Sequence, residues 1–266
     1  MNNADSEKKD QDWLVNPTFQ STSQVVRETA SRNHESSESI DPSPHMTLDE
    51  FLAKNNIQID SSVKEFCEKG SQFLRNSKDP THSIDHLERL WGNLDKFHMD
   101  AENEGLQIDW NTLTAAISWH DAWRASYFKL SPISLYKSQF QEGSHAANFS
   151  SSAMKEAGFD VASINKVVYC ILTHPSTWKD DRKTVESRIL NDIDELDSWS
   201  PERISGIANY LSNPKHVLGK LALTLLKPAR NVILSKGSHT YYFASTQKEA
   251  QDRYPALEKQ VKQFFS

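Results

Sequence analysis

The sequence predicts an all-α fold, and three observations carry that prediction. Apolar residues recur at helical spacing in one segment after another. Alternating period-2 runs bounded by turns are nearly absent. The chain also has only eight glycines in 266 residues, which disfavours a β-rich fold. This length suits one large domain or two small ones.

Residues 1–45 are polar and rich in Ser, Asn, Asp and Glu, as in "SRNHESSESIDPSPH". Such a segment cannot bury enough apolar surface to offset its ordering entropy, so a disordered tail is expected. Its "WLV" and "VV" could serve as short docking elements for a protein partner. A globular domain is expected over 46–266, beginning at Thr47, which with Glu50 forms a capping-box pattern. Phe66, Phe73 and Leu74 share a face of a helix near 60–76. His86, Leu87, Leu90 and Trp91 mark the next helix, and Leu113, Ala116 and Ile117 another. Phe149, Ala153 and Met154 belong to a helix closed by Gly158, and Ile164, Val167, Val168 and Ile171 to its successor. Ile189, Ile193 and Leu196 follow, then Ile204, Ile207 and Leu211, and last Leu257, Val261 and Phe264. There is no internal repeat.

Composition excludes several function classes. A net charge of -6 argues against a general nucleic-acid binder, which needs a basic face. No apolar run is long enough to cross a membrane, and the opening residues lack the apolar core of a signal peptide. Cys67 and Cys170 make neither a disulfide framework nor a CxxC pattern, and read as buried free thiols. A soluble cytoplasmic protein is expected.

The stretch "LTAAISWHDAWRASY" ends an apolar helix in His120 and Asp121, with Arg124 close behind. Further such side chains sit at or beside helix ends: His82, Asp85 and His86 in "THSIDHLERLW", His145 at an expected helix start, and His174 at a helix end. Asp192, Asp194 and Asp197 lie in "ILNDIDELD". Uncompensated charge on faces that also carry large apolar residues is costly. Imidazole together with carboxylate suits divalent metals, and helical domains build such sites by lending ligands from several helices.

The order Asp85-His86, His120-Asp121, "SHAANF" at His145, "ILTH" at His174 and "ILNDIDELD" resembles the HD superfamily of metal-dependent phosphohydrolases over about Thr81 to Ser198. The resemblance implies a compact multi-helix HD-like bundle with a metal site in its core, a motif core at 81–198 and a C-terminal helical extension at 199–266. It implies His86, His120, Asp121 and Asp194 as ligands of a divalent ion (Mn, Fe, Co, Mg, Ni or Zn). Asp192 is the rival to Asp194, and the choice falls on Asp194 by likeness to the family's aspartate. His145 and His174 are then ligands of a second ion bridged by Asp121, or else pocket groups. Asp197 reads as a cap or a surface carboxylate. Arg124, where the family often has lysine, together with Arg188, Asp192 and His82, are candidates for catalysis or phosphate contact. The tryptophans Trp119, Trp123, Trp178 and Trp199 read as core or pocket wall, and Lys227, Arg230 and Tyr241 as structural before substrate-binding.

The activity implied is hydrolysis of a phosphomonoester or phosphodiester in a nucleotide or other small phosphorylated metabolite. Two alternatives stay open: an HD-fold di-iron oxygenase, and a non-catalytic nucleotide- or metal-binding regulatory module.

Overall fold

The computed structural model describes residues 44–79, 81–127, 132–175, 181–198, 200–212 and 241–265. These form ten helices and no strand. In chain order they are α1 (Leu48–Lys54), α2 (Ser61–Arg75), α3 (Ile84–Asn103), α4 (Trp110–Trp119), α5 (Ala122–Tyr127), α6 (Pro132–Glu156), α7 (Val161–Thr173), α8 (Val185–Ser198), α9 (Pro201–Ser212) and α10 (Ala244–Phe265). No helix among the described residues is long and apolar enough to cross a membrane.

Local signals set the helix ends. Thr47 and Glu50 make the expected reciprocal capping box at α1. Asp109 accepts from the Thr112 amide at α4, and Asp160 from the Ala162 and Ser163 amides at α7. The globular unit begins slightly ahead of the expected boundary. The Met46 amide donates to the Glu88 carbonyl at 3.0 Å, and Pro44 lies so close to Gly92 on α3 that a side chain there would meet its carbonyl. Residues 1–43, the greater part of the expected tail, lie outside the described residues, as do Trp178, Trp199, Lys227 and Arg230.

The short, apolar α4 is the central helix. Every residue from Thr112 to Trp119 is buried, and α2, α3, α7 and α8 pack around it. Trp119 stacks on Phe66 at 4.4 Å and donates its indole N–H to the Phe66 carbonyl at 2.8 Å. Leu90, Leu94, Leu113, Ile117, Ile171 and Leu190 are fully buried. Each contributes about 1.5–3 kcal/mol through removal from water, as an upper bound. The long α3 turns His86, Leu90, Asn93, Phe97 and Ala101 inward at steps of three and four. Cys67 and Cys170 are buried free thiols, and burial pushes them up to about 11 and about 12.

One helix start differs from expectation. The helix carrying His145 begins at Pro132, so His145 lies in its middle. The apolar pattern before it, "PISLYKSQF", is too mixed to announce a helix from sequence.

Candidate metal centre

Four helices and a turn converge on one buried cluster. α4 ends at Trp119, and His120 and Asp121 occupy the turn before α5. His86 comes from the first turn of α3, Asp194 from α8, and His174 caps the end of α7. His86 and His120 are fully buried and Asp121 is 2% exposed.

The distances are those of a ligand set. His86 Nε2 and His120 Nε2 are 3.2 Å apart. Asp121 Oδ2 is 3.2 Å from each of them, and Asp194 Oδ1 is 3.5 Å from His86 Nε2. Donors bound to one ion at about 2.1 Å stand roughly 3.0–3.4 Å apart in octahedral or tetrahedral arrangement. His120, His174 and Asp194 form an overlapping group of the same kind.

The imidazoles are oriented from behind. His86 Nδ1 faces Asp197 Oδ2 at 2.7 Å, His120 Nδ1 the Ile117 carbonyl at 2.7 Å, and His174 Nδ1 the Ile171 carbonyl at 2.6 Å. Carboxylates and carbonyls only accept, so the proton belongs on Nδ1 and the Nε2 lone pair points into the cluster. Facing lone pairs at 3.2 Å with a carboxylate oxygen beside them repel each other unless a cation lies between. Asp121 Oδ2 accordingly has no hydrogen-bond partner among the described residues although it is buried. An orphaned buried carboxylate oxygen is costly, and a divalent ion at this point satisfies all the donors together.

The electrostatics agree with that reading. Burial alone would raise Asp121, but the His120 and His82 charges beside it hold it well below the usual carboxylate range. Burial likewise opposes a charged His120, yet Asp121 overrides it and lifts the imidazole to about 9. Burial and then the neighbouring His120 hold His174 down. Asp194 is lowered against its burial, chiefly by Arg203.

Several supporting groups were not legible as such in the sequence. Asp197 is no cap or surface carboxylate: it is completely buried and accepts from both His86 and Arg89, the latter at 2.6 and 3.1 Å. Asp194 and Asp197 stand three residues apart on α8, and His86 and Arg89 three apart on α3. This shared spacing was the available signal. Asp79 holds His82 Nδ1 at 2.8 Å and lies 3.3 Å from Arg124 Nε. Glu142 on α6 accepts from Arg124 at 2.6 Å and lies 3.7 Å from His82 Nε2. Arg203 on α9 reaches Asp194, Asp197 and His82 at 3.2–3.5 Å.

Of the other sequence candidates, His82 lies beside the cluster, its Nε2 3.8 Å from Asp121. Arg124 also borders it, but buried between Asp79 and Glu142. The structure does not bring His145 in: it is exposed and stacks on Trp123 at 4.7 Å, while Glu142, one turn earlier on α6, faces the cluster. Asp192 is engaged elsewhere, because a shift of two residues from Asp194 rotates it about 200° around the helix. Its Oδ2 accepts the Tyr242 and Phe243 amides at 2.8 and 3.1 Å, and burial raises it to about 7. Arg188 lies with it, over the Tyr242 ring at 5.4 Å and donating to the Arg182 carbonyl. Tyr241 is buried against Phe97 and Leu196, a packing role.

No family model matches the chain, and no curated protein does. Among solved structures, it is similar to the crystal structure of a predicted HD superfamily hydrolase from an uncultured Thermotogales bacterium. The identity is 20% and the TM-score 0.45, over 76% of this chain and 90% of that one.

Proposed function

We propose that this chain is a metal-dependent phosphohydrolase acting on a small phosphorylated metabolite, a nucleotide foremost. One observation carries the metal part: Asp121 Oδ2, buried and without a hydrogen bond among the described residues, faces His86 Nε2 and His120 Nε2 at 3.2 Å. The phosphate part is supported by the motif order that resembles the HD superfamily.

We further propose a single ion, held by His86, His120, Asp121 and Asp194, with His174 beside it. Charge supports this count. Among the described residues, the carboxylates Asp79, Asp121, Glu142, Asp194 and Asp197 face the guanidiniums of Arg89, Arg124 and Arg203. Five against three leaves two negative charges, which one divalent ion balances. The position beyond Asp121, toward His82 and Glu142, is already served by Arg124 and Arg203.

When bound, a divalent ion supplies Lewis acidity and brings the pKa of water toward neutrality. The protein's residues do the rest. Asp197 and the Ile117 carbonyl hold the two imidazoles in the productive tautomer. Burial of His86, His120, Asp121 and His174 keeps bulk water away and strengthens the electrostatics of the site. His82, braced by Asp79 through Nδ1, turns its Nε2 to Arg203 at 3.2 Å beside the cluster, placed to take up a proton once that arginine turns away.

The test is phosphate release from a panel of nucleotides with Mn, Mg, Co, Fe, Ni and Zn. Wild type is expected to release phosphate only with added metal. Asp121→Asn should lower the rate by more than about a hundredfold, beyond the usual loss from a residue behind the ligands. Metal-loaded protein that releases no phosphate from any substrate would contradict the reading. Iron-dependent oxygen uptake in its place would indicate an oxygenase.

A further inference from the structure

We propose that Arg203 binds the anionic group of the substrate at the mouth of the metal cluster. The inference rests on the hydrolase reading above and names the residue that recognises the substrate.

Among the described residues three arginines reach the cluster, and they are held very differently. Arg89 is locked on Asp197 through two hydrogen bonds of 2.6 and 3.1 Å. Arg124 makes a 2.6 Å bond to Glu142 and lies against Asp79, with its side chain 4% exposed. Among the described residues, Arg203 has only long contacts: 3.5 Å to Asp194 Oδ1, 3.4 Å to Asp197 Oδ2, 3.4 Å to His86 Nδ1 and 3.2 Å to His82 Nε2. Charge-assisted N–H···O bonds between committed partners measure about 2.7–2.9 Å. Arg203 is thus the cation whose hydrogen bonds can be improved by another acceptor.

Exposure shows where that acceptor would enter. His86 and His120 have no exposed side-chain surface and Asp121 has 2%, whereas Asp194 has 19% and Arg203 12%. Glu142 on α6 is 14% exposed as well, so the side where α8 and α9 present Asp194 and Arg203 is one open side of the cluster. A group arriving there would sit between a metal held by the cluster and a planar guanidinium. The guanidinium fork matches two oxygens of a phosphoryl group. His82 Nε2, now the acceptor for Arg203, is released when the arginine turns to the anion. The recognised chemistry is a tetrahedral oxyanion of a phosphate ester. The enclosed Arg124 orders Glu142 and Asp79 behind it.

The test measures inorganic phosphate binding to full-length protein at saturating Mn, by calorimetry and by 31P relaxation from the bound Mn. It compares wild type with Arg203→Gln, Arg203→Lys and Arg124→Gln. Saturating Mn removes differences in metal affinity from the comparison. Wild type should bind phosphate close enough to Mn to relax the 31P signal. Arg203→Gln should weaken phosphate binding about tenfold or more, the size of a lost hydrogen bond between charged groups. Arg203→Lys, which keeps the charge but lacks the fork, should recover only part of the loss. Wild-type binding retained in Arg203→Gln, above all if Arg124→Gln loses it, would overturn the proposal and leave the hydrolase reading standing. Mn-loaded wild type that binds no phosphate would overturn the proposal too, while the hydrolase reading fails only if no substrate in the nucleotide panel releases phosphate.

Discussion

At the scale of single residues, Asp197 shows how the site is built from behind its ligands. It is buried, carries a full charge and binds His86 and Arg89 at once. Burial would raise its carboxyl, but the hydrogen bond to His86 and the Arg89 charge hold it far below the usual range. Removing that charge leaves a buried guanidinium without its counter-ion, which costs about 3–5 kcal/mol when a buried pair is broken. Asp197→Asn should thus unfold at lower denaturant concentration. It should also weaken Mn binding about 10–100-fold by loosening His86. Metal affinity unchanged in a destabilised variant would show that Asp197 only holds α3 to α8. The ligand-type residues His86, His120, Asp121, His174 and Asp194 were legible in the sequence, because a histidine or aspartate at an apolar helix end is conspicuous. Asp197 was not, since a carboxylate in "DELDSW" reads equally well as solvent-facing until its partners 108 and 111 residues away are placed.

At the scale of elements, the meeting of α6 and α7 sets the geometry of two site residues. Gly143 lies against the Leu172 carbonyl, which an added Cβ would approach to 2.6 Å, and against Pro175 at 3.1 Å. Its neighbour Glu142 reaches Arg124 and His82, and the opposing segment carries His174. Gly143→Ala must push the helices apart against backbone, an overpacking of about 1–3 kcal/mol. The expected outcome is a lower melting temperature together with reduced metal-dependent activity. A variant with native stability and activity would show that this crossing does not control the site. The sequence predicted most of the helices, and α2 falls within the expected span. It misjudged the start of α6 because the polar residues between Pro132 and His145 hide the helical period. The family likeness put His145 at a helix start, as a ligand of a second ion or a pocket group, whereas mid-helix it faces outward onto Trp123.

At the scale of the whole molecule, an all-helical core centred on α4 brings together groups far apart in sequence, from Asp79 to Arg203. The apolar periodicity made the fold class legible. Which cations and carboxylates would balance one another depended on tertiary packing, so Glu142 and Arg203 gave no sequence signal. The central claim is that the buried convergence of His86, His120, Asp121 and Asp194 is a site for one divalent ion. Metal stoichiometry tests it most directly, by titration calorimetry with Mn and by elemental analysis after desalting. Wild type should bind about one equivalent, His145→Ala should bind the same, and His120→Ala should bind almost none. Wild type that takes up no divalent ion, or a His120→Ala variant that binds as wild type does, would contradict it.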